Sequence, residues 1–80
     1  MLEKDAKIII ESLSSVMPHI AYPVELRELI ERERVGCDCI ETFVEKFGEK
    51  ISEIYDVTRK TDGQIFLNEL KRNIAKSNSD

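Results

Sequence analysis

Eighty residues leave room for one domain and one core. With 41% hydrophobic and 35% charged residues, the composition is that of neither a membrane protein nor a disordered chain. The net charge of −4 argues against nucleic acid as a partner, because neutralising phosphates supplies most of that affinity.

The opening stretch "MLEKDAK" carries acids and lacks the basic-then-apolar layout of a signal peptide. The longest aliphatic run, Ile8-Ile9-Ile10, falls far short of the roughly 20 residues that a membrane helix needs. The expected compartment is therefore a reducing cytoplasm, in which the two cysteines remain thiols. No membrane association is expected.

In the first segment Leu2, Ala6, Ile9, Leu13 and Val16 recur at spacings of four and three, which is one face of a helix over about residues 3–17. Ile10 and Met17 widen that face. Pro18 ends it, since the residue before a proline is pushed out of the helical region. After the connection "HIAYP", Pro23 suits the first turn of a second helix over about 23–35. Leu26, Leu29 and Ile30 form its apolar edge. Arg27 with Glu31, and Glu28 with Arg32, place opposite charges one turn apart, and Gly36 offers a C-terminal cap.

The third segment, about 38–57, has the strongest helical pattern. Asp38 stands where an N-cap would, and Glu41 follows three residues later in the manner of a capping box. Ile40, Phe43, Val44, Phe47, Ile51, Ile54 and Tyr55 then trace one wide apolar stripe. Gly48 interrupts it at a cost of about 1 kcal/mol relative to alanine, but the pattern runs on past it. "VTRKTDG" reads as a loop, with Thr61 or Asp62 capping a fourth helix over about 62–76. Phe66, Leu70 and Ile74 form its core side, and Lys71, Arg72 and Lys76 complement the dipole at its end. The tail, 76–80, is expected to be mobile.

These elements predict an all-α, compact four-helix bundle. Its expected core is Ile9, Leu13, Leu26, Leu29, Ile40, Phe43, Phe47, Ile51, Ile54, Phe66, Leu70 and Ile74. A competing architecture makes "IYDVTRKTDGQIFL" a hairpin around Asp62-Gly63. The chain would then be a winged helix-turn-helix that binds nucleic acid, although its recognition helix would present Glu41, Thr42, Glu45 and Lys46.

Few residue types arrive in a pattern that carries chemistry. Cys37, Cys39 and His19 are one ligand short of a zinc or iron–sulfur set, so no metal or cofactor is expected. Nothing at a local spacing orients His19 as a general base, and the three glycines are too dispersed to build a phosphate loop. No catalytic residue is therefore assigned, and the chain is read as a non-enzyme. Cys37 and Cys39 are read mainly as small residues at a helix start, with a redox response as the sharper alternative.

A more informative pattern is Glu41, Glu45, Glu49 and Glu53, which recur every four residues and repel one another by a few tenths of a kcal/mol per pair. Val44 and Tyr55 lie beside the main apolar stripe. Together these six residues are the expected contact surface for a protein partner or a second copy. The functional expectation is a small interaction or regulatory module.

Overall fold

A computed structural model of the chain describes residues 1–78. Four α-helices follow in order: α1 (Glu3–Val16), a single 3-10 turn (Met17–His19), α2 (Pro23–Val35), α3 (Ile40–Ser52) and α4 (Val57–Asn78). The radius of gyration, 11.8 Å, is close to the roughly 11.6 Å typical of a folded chain of this length. Among the described residues there is no strand, so the winged architecture falls and the all-α bundle stands. The described residues also contain no helix long and apolar enough to cross a membrane.

α4 organises the bundle. At 22 residues it runs about 33 Å, nearly the long dimension of the molecule, and α1 and α3 both pack along it. Phe43, Phe47 and Phe66 join α3 to α4 at the centre. Phe43 stacks on Phe47 at 5.3 Å, and Phe66 meets both edge-on at 6.4 and 5.3 Å. Ile9, Leu26, Ile40, Ile51 and Leu70 are buried around them as expected, with Leu13, Leu29 and Ile74 half-covered at the margin. Val16 and Ile30, on the expected apolar faces of α1 and α2, are buried as well, and so are Ile20, Cys37 and Leu67, which no apolar spacing had marked.

The expected boundaries shift most between α3 and α4. α3 passes straight through Gly48 but stops at Ser52 rather than 57, closing with short-range bonds from the Glu53 N–H to the Lys50 carbonyl and from the Ile54 N–H to the Ile51 carbonyl. Tyr55 consequently lies outside the helix and the core. Asp56 starts the next helix: its Oδ1 accepts from the Arg59 N–H at 3.0 Å and its carbonyl from the Lys60 N–H. The stretch "VTRKTDG" is thus the first two turns of α4, not a loop, and Asp62-Gly63 is inside a helix, not at a turn.

Two aspartates hold the starts of helices from other parts of the chain. Asp38 is exposed and does not cap α3; that N-cap position belongs to Cys39, whose side chain makes no capping bond. The Ile40 N–H donates instead to Asp5 Oδ2 of α1, at 3.1 Å. Asp62, buried on α4, accepts from the Ala21 and Tyr22 N–H groups at 3.0 and 2.9 Å with its two oxygens, placing a carboxylate at the start of α2.

α1 sits on α4 by a face rotated from the expected one. Ile9, Ser12 and Val16 are buried, whereas Ile10 is 55% exposed and Leu2 is also exposed. The small, fully buried Ser12 donates to the Ile8 carbonyl and accepts from Asn73 Nδ2 on α4, both at 2.8 Å. On α2 the ion pair is Glu31–Arg34 at 2.9 Å rather than either pair four residues apart. Gly36 takes the C-cap position of α2 with φ −89, outside the left-handed region. Residues 76–78, expected in a mobile tail, continue α4 as helix, and 79–80 lie outside the described residues.

The two helical glycines make opposite demands. A Cβ on Gly63 would sit 2.7 Å from Cγ1 and 2.9 Å from Cδ1 of the fully buried Ile51, whereas one on Gly48 meets Leu67 at an ordinary 3.8 Å. Gly48→Ala is expected to stabilise the protein by about 0.5–1 kcal/mol through helix propensity alone. Gly63→Ala should lose about 1–2 kcal/mol, because overpacking outweighs the same propensity gain. Urea midpoints moving in opposite directions would bear this out, and a gain at both sites would contradict the close approach of α4 to Ile51.

Candidate functional site

The outer side of α3 carries the acidic row. Glu41, Glu45 and Glu49 are exposed on the helix, and Glu53 is exposed at its C-cap. Among the described residues none of the four carboxylates is in an ion pair. Most of the apolar stripe of α3 is covered inside the chain, by Phe66, Leu67 and Leu70 of α4 and by α2. What reaches the surface is its flank. Half-buried Val44 and Ile74 line a shallow apolar groove of about 260 Å³ between α3 and α4, with Glu41 on one side and Lys71 on the other.

Of the six residues expected to share a contact surface, five lie along this helix and its cap. Tyr55 departs from them, fully exposed in the α3–α4 connection.

The thiols are separated by their surroundings. Cys37 is 4% exposed, belongs to the core and donates from Sγ to the Glu33 carbonyl at 3.2 Å. Cys39 is half-buried, with Sγ 3.3 Å from Thr42 Oγ1. Both are free. His19 is exposed in the 3-10 turn. No three His, Cys, Asp or Glu side chains among the described residues converge to hold a metal ion.

A second concavity was not anticipated from the sequence. Between α2 and the α3–α4 connection lies a cleft of about 260 Å³, walled by Tyr22, Glu25, Leu29, Arg32, Ile54 and Arg59. Arg59 lies over the Tyr22 ring, with Cζ 5.2 Å from the centroid. Asp62 also borders the cleft, but its oxygens are already engaged by the two backbone N–H groups. These residues come from three segments that no local spacing links. The one available signal was Asp62-Gly63, and it resembles a turn. No family model, curated protein or solved structure matches the chain at a significant level.

Proposed function

We propose that this protein is a small interaction module, working as a binder rather than a catalyst in a reducing cytoplasm. It docks a basic segment of a protein partner on the outer side of α3. The supporting observation is the exposed row of Glu41, Glu45, Glu49 and Glu53, unpaired among the described residues and opening at its Glu41 end onto the Val44–Ile74 groove. Adjacent like charges on a helix work against folding, and a partner carrying lysine or arginine at matching intervals relieves that repulsion. An apolar side chain on the same partner segment fits the groove. Nucleic acid is the poorer occupant, since phosphates are repelled by the same carboxylates.

The probe is an amphipathic helical peptide with lysine at every fourth position and one leucine beside that row. Titration into the labelled protein should shift α3 amide signals and the Val44 and Ile74 methyls, with affinity falling as salt rises. The double variant Glu45→Lys/Glu49→Lys should weaken binding about tenfold or more, equivalent to about 1.4 kcal/mol. Shifts scattered over the surface, or affinity unchanged in the double variant, would overturn the reading.

A further inference from the structure

The end of the bundle formed by the start of α2 and the α3–α4 connection holds a protruding aromatic beside an unfilled cleft. Tyr55 is 101% exposed, with Val57 two residues later and Val24 at the start of α2 also largely exposed. Ile54, immediately before Tyr55, lines the cleft together with Leu26 and Leu29. Tyr55 itself is not among the residues lining it. Its total exposure in an 80-residue chain forgoes the large apolar contribution that an aromatic ring usually makes.

We propose that two copies of the chain associate about a two-fold axis at this end, each placing Tyr55 in the other's cleft. A two-fold interface must be self-complementary, with knob and hole on the same patch, and adjacency in the chain puts them there. At about 260 Å³ the cleft admits one aromatic side chain. Leu26, Leu29 and Ile54 supply apolar contact, the Arg32 and Arg59 guanidinium groups suit the face of a ring, and Glu25 or Glu28 can accept the phenol O–H. Val24 and Val57, largely exposed, extend the contact around the exchanged rings. The residues lining this cleft are distinct from those of the Val44–Ile74 groove.

Sedimentation of the full chain from low-micromolar to near-millimolar concentration should show a monomer giving way to a dimer. Tyr55→Ser, which alters a fully exposed side chain and leaves the helices intact by circular dichroism, should weaken association at least tenfold. Glu28→Trp, which fills the cleft while sparing Tyr55, should do the same. The chain has no tryptophan, so Tyr55→Trp supplies a single reporter, whose emission should move to shorter wavelength as concentration rises. Monomer mass across the whole range, or association undiminished in Tyr55→Ser, would overturn the proposal. Tyr55→Ser should leave binding of the lysine peptide unchanged, so failure of either proposal is recognised separately.

Discussion

Replacing Phe66 by alanine is expected to cost about 3–5 kcal/mol, the range for truncating a fully buried phenylalanine. Domains of this length are stable by about 4–12 kcal/mol, so the variant should be close to unfolded at ambient temperature. Phe66 is 0% exposed and is the one α4 side chain whose ring meets both Phe43 and Phe47, so its loss opens the joint between α3 and α4. Phe66→Leu should recover most of the loss, because volume is largely kept and only ring contacts go. Urea denaturation gives both values. A cost below about 1 kcal/mol for the alanine variant would mean that this residue is not at the centre of the core.

Asp62→Ala should cost about 2–4 kcal/mol, far more than a substitution on an ordinary solvated helix position. Its carboxylate is buried and holds the Ala21 and Tyr22 N–H groups, so removal releases the chain entering α2 and leaves two backbone donors without partners. Asp62→Asn keeps the shape but turns one acceptor into a donor facing a donor, so it should recover less than half of that loss. Amide exchange at Ala21 and Tyr22 should accelerate in both variants. Stability within about 0.5 kcal/mol of the parent would place Asp62 on the surface instead.

Asp62 also shows where sequence reasoning reached its limit. Aspartate followed by glycine is a turn signal because both residues tolerate tight backbone geometry, and local reasoning cannot see partners elsewhere in the chain. Here the aspartate is required by backbone N–H groups forty residues earlier, and the glycine by Ile51 pressing against α4. Asp56, six residues before, gave the correct N-cap signal, but the β-branched Val57 and Thr58 that follow are weak helix formers and obscured it. Cys39 and Asp5 repeat the lesson at α3, whose first N–H is satisfied from α1 rather than by its neighbour Asp38.

Periodicity succeeded where an apolar face is long and unambiguous. Phe43, Phe47, Ile51, Phe66 and Leu70 were all placed in the core by spacing alone, and all are buried. The acidic row was legible too, since spacing of four puts glutamates on one side of any helix. Tyr55 was misjudged because the apolar spacing continues through it, although the helix ends three residues earlier. The cleft was invisible, as Tyr22, Ile54 and Arg59 meet only when the α2 entry and the α3–α4 connection fold together.

The bundle depends on α4 remaining helical through Asp62 and Gly63. Backbone chemical shifts test this directly. Helical Cα shifts should run unbroken from Val57 through Leu70 after an interruption at 53–56, with cross-peaks from the Gly63 Hα protons to the Ile51 methyls. Extended shifts on both sides of Asp62-Gly63, with cross-strand contacts between residues 54–60 and 64–67, would contradict it.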